Sequence, residues 1–350
     1  MTLPTLSRSI DDDFLSTWYE IREEAIDNIL DATVLWLAFR EFGVLTPQVG
    51  SKYIDRTIRY GTKSKQNISK GTTLSQSVKK LETMAMWEWS YTAVDVNRAL
   101  LDDQQNSGPS KIKDYVATRL GAAREALVQD LEQDLFLWAD YDTDQMNGLW
   151  DICPTSTAVP YNANYGGAAD APSGLGSSTN DDSSDSFGGI ARSNSWWQNV
   201  TTAGTAPASV NLPSDMRTFW NTVSANIAPP TFIICDQDLY EYYEDEVSDR
   251  QQIVRTQFNK VAADLGFESM TFKGAPLTWT DKMSGSDKMF FLNLDFIELV
   301  YDPNYWFDMT PWMDTPNQLE KVAYIVNTHQ LIGSQPRRQG VLDYNSTTQS

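Results

Sequence analysis

Two strand-like runs flank a segment with almost nothing to bury, and that arrangement limits the folds open to this chain. In residues 53–60, Tyr53, Ile54, Ile58 and Tyr60 alternate among Asp, Arg and Thr. In 81–96, "LETMAMWEWSYTAVDV", Met84, Met86 and Glu88 fall on one face, with Ala85, Trp87, Trp89 and Tyr91 on the other. A period of two over such lengths predicts half-buried β-strands. Between them, "GTKSKQNISKGTTLSQSVKK" is polar and basic. Two strands around a polar tip make a long β-hairpin that carries its tip away from the body.

The charge on that arm opposes the charge of the chain. Lys52 to Lys80 holds eight Lys or Arg against Asp55 alone, a local +7 in a chain of formal charge −20, which leaves −27 on the other 321 residues. A body this acidic repels DNA, RNA and anionic membrane, so the arm is not read as a nucleic-acid site. Its candidate contact residues are Arg59, Lys63, Lys65, Lys70, Lys79 and Lys80.

The rest of the chain predicts an α+β body. Residues 10–42 carry helical spacing, with Phe14, Trp18, Ile21, Ala25 and Ile29 recurring at three or four residues until Gly43 and Pro47. A helix over 110–139, capped by Ser110, aligns Ile112, Tyr115, Val116, Leu120, Ala123, Leu127, Leu131, Leu135 and Trp138 on one stripe. At 1.5 Å per residue it spans roughly 45 Å. Residues 155–188 are rich in Gly, Ser, Ala, Asp and Asn and predict a long loop. A helix over 213–227 opens at Pro213–Ser214, "TFIIC" is a buried strand, and Asp236 starts another helix. "SMTFKGAPLTWT" reads as two strands about Gly274–Pro276, "KMFFLNLDFIELVYDP" as two more, and "QLEKVAYIVNTHQLIGSQPRRQGVL" as a last strand pair. Short strands and helices interleave without a regular βα repeat, which excludes a doubly wound sheet.

Little here points to catalysis. His329, the sole histidine, lies in a strand run with no nucleophile motif beside it. Phosphate loops, dinucleotide fingerprints and zinc or calcium spacings are missing, so no cofactor or metal is expected. Cys153 and Cys235 read as two buried thiols in a reducing compartment. "MTLPTLSRSIDDDF" lacks an apolar signal core, and no run approaches a membrane span. An acidic chain with 12 Trp also allows a second reading, a glycoside hydrolase or glycan-binding protein.

Several runs together resemble the major capsid proteins of tailed phages, with the Hong Kong 97 type of shell fold. "YGTKSKQNISKG" followed by "ETMAMWEWSYTAVDVN" resembles their extended loop and its return strand. "GGIARSNSWWQN", "TFIICDQDLYEYYE", "FKGAPLTW", "MFFLNLDFIEL" and "QPRRQGVL" are similar to one branch of the family, in the same order. The likeness covers about 50–342 and leaves 160–187 as an insertion. It implies an N-terminal arm over 1–50 and an extended hairpin loop over 51–97. A peripheral domain follows over 98–212, with the spine helix 110–139 and the inserted loop 155–188. A mainly axial domain over 213–335 and a tail over 336–350 complete the chain.

The resemblance implies a shell subunit without enzymatic activity that self-assembles into hexamers and pentamers around packaged double-stranded DNA. The partners it implies are a portal, a scaffolding protein and a decoration protein. Because Met1 lies only some fifty residues before the hairpin, scaffolding is expected from a separate protein or none. Lys63, Lys65 and Lys70 are positioned for the covalent crosslink some members form, but no acceptor is identifiable, and no crosslink is expected. An encapsulin-like compartment shell shares the fold and is the nearest alternative.

Overall fold

The computed structural model describes residues 34–61, 80–99, 146–154, 186–192, 194–205, 208–224, 228–248, 270–283, 285–316 and 320–344, with helical residues at 121, 123, 126, 127 and 131–136. The helical pattern before residue 34, the hairpin tip 62–79, both ends of the 110–139 helix and residues 155–185 lie outside the described residues.

Helix α1 (Val34–Glu41) buries Leu35, Trp36, Ala38 and Phe39. Gly43 stops it at φ 67°, where the Val44 amide donates to the Phe39 carbonyl at 2.9 Å. The chain then enters a six-stranded sheet. In it β1 (Leu45–Pro47) runs parallel to β12 (Ile297–Tyr301), and β12 runs antiparallel to β15 (Glu320–Gly333). The same edge of β15 also holds β13 (Asp308–Met309) and β14 (Met313–Asp314), while its opposite edge pairs with β4 (Ser90–Ala99) from Glu320↔Ala99 to His329↔Ser90. At 14 residues, β15 organises the sheet.

A second six-stranded sheet has the order β7 (Val200–Ala203), β16 (Gly340–Asp343), β11 (Lys288–Leu292), β8 (Phe232–Cys235), β10 (Ala275–Trp279), β9 (Met270–Phe272). Strands β8, β11 and β16 are buried at every residue, as their continuous apolar runs require. Their alternation separates two cores. Ile233, Phe291 and Leu342 face helix α3 (Ala208–Ser224) through Leu212, Met216, Phe219 and Val223. Phe232, Ile234, Phe290, Leu292 and Val341 join the main core, where Trp150 of the short helix α2 (Leu149–Ile152) meets Phe290 edge-on at 4.7 Å. Helix α4 (Gln237–Ser248) follows Asp236 and buries Leu239 and Tyr243 against α3's side of the sheet. In the turn between β9 and β10, Lys273 and Gly274 take φ of 49° and 93°.

Four local readings change. Helix α3 begins at Ala208 and not at Pro213, because its buried stripe runs back through the proline. Residues 186–188 leave the long loop: β5 (Ser186–Phe187) and β6 (Ile190–Ala191) form a small hairpin about Gly188 and Gly189, both at positive φ. Strands β15 and β16 are not a pair, since a 3₁₀ turn at Pro336–Arg338 carries the chain from the first sheet to the second. The run 81–96 is two strands, β3 (Glu82–Glu88) and β4, for a reason that bears on the candidate surface.

Candidate assembly surface

The hairpin exists where the alternation put it. Strand β2 (Tyr53–Arg59) pairs antiparallel with β3 from Tyr53↔Glu88 to Arg59↔Glu82. Ile54, Ile58, Ala85 and Trp87 are buried on one face, and Met84 and Met86 stand 53 % and 51 % exposed on the other. This ladder does not reach freely into solvent. It lies on the body at three levels.

At its root, Trp89 Nε1 donates to the Ser51 carbonyl at 2.9 Å, and farther along β2 Arg56 donates to Glu298 of β12. Half-way along, the Met86 amide donates to the Gly188 carbonyl at 3.0 Å, while Trp87 packs edge-on to Phe187 at 5.6 Å. Gly188 must be glycine here, because a Cβ would stand 2.7 Å from the Trp87 ring at a φ of 60°. At the far end Tyr60 stacks on Trp196 at 4.4 Å, beside an open hollow lined by both rings. The ladder is thus laid on the body as far as Gly61 and Lys80, and the tip expected to project, 62–79, lies outside the described residues.

Trp89 and Ser90 are buried in succession, at 7 % and 1 %. That breaks the two-residue period where the chain leaves β2 and joins β15, so every later side chain changes face. Tyr91, expected on the same face as Trp87, is 67 % exposed as a result.

Arg59 is exposed at the end of β2, in register with Glu82, and Lys80 is exposed where the chain returns. Lys63, Lys65, Lys70 and Lys79 lie outside the described residues. Arg56 is the cation that charge counting misplaced. It shares the inward face with Ile54 and Ile58, a position the period of two already signalled, and there it is tied to the body.

The residues weighed for chemistry take structural roles. His329 is fully buried between β4 and β12, and burial lowers its pKa to about 4. Cys153 and Cys235 are free and buried, with burial raising both thiol pKa values. Trp36, Trp87, Trp89, Trp150, Trp197, Trp220 and Trp306 are buried, and Trp279 is the exposed indole among the described residues. Most of the described indoles are thus packed in the body. No set of three or more His, Cys, Asp or Glu among the described residues could hold a metal, and no described helix is long and apolar enough to cross a membrane.

Solved structures supply the comparison. The capsid subunit of cyanophage A-1(L) superposes with a TM-score of 0.61 at 14 % identity, over 87 % of this chain and 90 % of that one. The chain has the fold of a phage capsid subunit. It is the shell fold of the Hong Kong 97 type, and the α+β body expected from the sequence is its framework. The capsid subunit of a native GTA particle follows at 0.54 and 11 % identity, over 89 % and 90 % of the two chains. An encapsulin, SrpI from Synechococcus elongatus PCC 7942, aligns at 0.49 and 14 % identity, over 87 % and 86 %. No family model and no curated protein matches this sequence.

Proposed function

We propose that this chain is a major capsid protein, the subunit of an icosahedral head that encloses the double-stranded DNA of a tailed phage. The observation that carries the reading is a capsid fold shared over nearly the whole of both chains. In this reading 98–212 is the peripheral domain with its spine helix, 213–335 is mainly axial, and the flanking 1–50 and 336–350 are arm and tail. The subunit acts through assembly and not through catalysis. Portal, scaffolding and decoration proteins are its further partners, and assembly takes place in the host cytoplasm.

The charge pattern supports the same reading. Subunits that join head to tail must be complementary to themselves at two different patches. A +7 segment on a chain of −20 meets that need, and long-range attraction orients incoming copies. Arg59, Lys63, Lys65, Lys70, Lys79 and Lys80 are the contact residues of this reading. The acidic remainder avoids gripping phosphate on the enclosed genome.

Sizing and negative-stain imaging of the purified chain test the proposal. Shells or capsomers are the expected result, and a compact 39.5 kDa monomer under all conditions overturns it. Lys63→Glu with Lys65→Glu and Lys70→Glu should leave a folded subunit that fails to assemble, most severely at low salt. On denaturing gels the particles should run as single chains.

A further inference from the structure

Strand β4 presents an edge that no strand among the described residues covers. It runs for ten residues, Ser90–Ala99, and pairs on one side only, with β15. In an antiparallel ladder, alternate residues aim both backbone groups at the same neighbour. Thr328 and Tyr324 aim theirs at the far edge of β15, where their carbonyls accept from the amides of Asp302 at 3.1 Å and Thr310 at 2.8 Å. Their register partners on β4, Tyr91 and Asp95, therefore turn amide and carbonyl outward, and the period of two adds Ala93 and Asn97. These four residues are exposed. Thr92 and Val94 lie on the core side, opposite Asn327 and Ile325, yet stay only half-buried at this edge.

So long an edge is normally blunted by proline, a bulge or several charges. Strand β4 has no proline or glycine, and from Tyr91 to Asn97 its one charge is Asp95, whose Oδ2 accepts from Asn97 Nδ2 at 2.7 Å. We infer that β4 of a second copy lies antiparallel along this edge, about a two-fold axis at Val94, and joins two six-stranded sheets into one. The strand is complementary to itself in that register. Tyr91 faces Asn97 and Ala93 faces Asp95, twice over, as hydrogen-bonded pairs, and no like charges are opposed. Val94 meets its own copy in a close, non-hydrogen-bonded pair, which covers its half-buried face. An axis at Asp95 would set two carboxylates directly opposite each other. One at Ala93 would bring Asn97 against Trp89, which is buried. The second copy rests on the shell reading, but this contact differs from the charged one: it uses the same patch on both chains and closes at two, whereas a head-to-tail contact propagates.

Disulfide trapping in the full chain tests it. Val94→Cys is made alone, and assembled material is oxidised and run without reductant. A single new cysteine crosslinks only where two copies bring the same residue together, so it reports the axis itself. Paired Cα atoms at a non-hydrogen-bonded site stand about 4.5 Å apart, within disulfide reach. The native thiols are fully buried and stay silent. A band at twice the chain mass is the expected result. Assembled particles that give only the monomer band overturn the proposal.

Assembly of point variants provides a second measurement that needs no cysteine. Ala93→Asp opposes Asp95 of the second copy and should lower particle yield at least tenfold with the melting temperature unchanged. Adding Asp95→Lys should restore the yield. Ala93→Pro deletes an amide that the ladder with β15 does not use, so it should fold and still fail to assemble. If both Ala93 variants assemble normally while the triple Lys→Glu variant does not, the edge contact is wrong and the shell reading stands. If Asp95→Lys fails to rescue Ala93→Asp, the register about Val94 falls. A wild-type chain that never assembles removes the shell reading and this contact with it.

Discussion

Arg56 of β2 and Glu298 of β12 join the hairpin to the body: Nε and Nη2 both reach Oε2, at 3.0 and 2.7 Å, while Nη1 reaches the Gln48 side chain at 3.3 Å. The two side chains are 26 % and 28 % exposed, so solvent screens the attraction. Arg56→Ala should cost at most about 1 kcal/mol of global stability. It should also raise hydrogen exchange selectively in 53–59 and 82–88. A double-mutant cycle with Glu298→Ala isolates the pair, and a coupling near zero would show the two strands held by packing alone.

The apolar stripe read over 110–139 is buried where it is described. Leu127, Leu131 and Leu135 are 1 %, 1 % and 0 % exposed, and Trp36 Nε1 donates to the Leu131 carbonyl at 3.3 Å. Leu131→Ala should cost about 2–5 kcal/mol and give insoluble subunits. Chemical denaturation of the soluble fraction measures the loss. Unchanged stability with failed assembly would move this residue from core to interface.

Lys288 is completely buried, its ammonium 3.3 Å from Asp343 Oδ1 and above the Trp150 ring at 5.9 Å. Burial lowers the lysine pKa, with Asp343 opposing that shift. Asp343→Ala leaves a buried cation without its partner and should cost about 3–5 kcal/mol. Adding Lys288→Met should restore most of that loss, because the pair's desolvation disappears with it. A double variant no better than the single would mean Asp343 acts through other contacts.

His329 makes stability depend on pH. Its folded pKa, about 4, lies below the ordinary 6.5, so the unfolded chain takes up the proton first as pH falls. The contribution is fully present above about pH 6.5 and is lost progressively down to pH 4, up to about 3 kcal/mol. Neither ring nitrogen has a hydrogen-bond partner, so His329→Leu should fold and flatten that slope. Urea midpoints between pH 4 and 7 provide the comparison, and an unchanged slope would assign the dependence to carboxylates.

Local pattern was legible and pairing was not. The period of two fixes β2 nearly to the residue and β3 at its start though not at its end, and the apolar run of β8 and the helix start after Asp236 need only their neighbours in sequence. Nothing local tells β1 to lie parallel to β12, with Leu45 in register with Leu299, 254 positions away, because strand partners are chosen by tertiary packing. The β15–β16 error has the same source: two apolar strands close in sequence suggest a hairpin, yet each completes a different sheet. At the candidate surface, the basic composition pointed to the arm. The anchors Tyr60 and Trp196 stayed hidden, since two aromatics 136 positions apart leave no shared signal.

The paired burial of Trp89 and Ser90 has a mechanical meaning. One strand of the hairpin continues, with a single unpaired residue between, into a ladder of ten pairs with β15, whereas the other arrives through Gly50 and Ser51, both at positive φ. The hairpin is therefore welded on one side and jointed on the other. A push on its outer end cannot be absorbed by a slack tether. It becomes a torque on β4, and through β4 on the six-stranded sheet, so a load felt by one copy's arm is delivered to the middle of its own body.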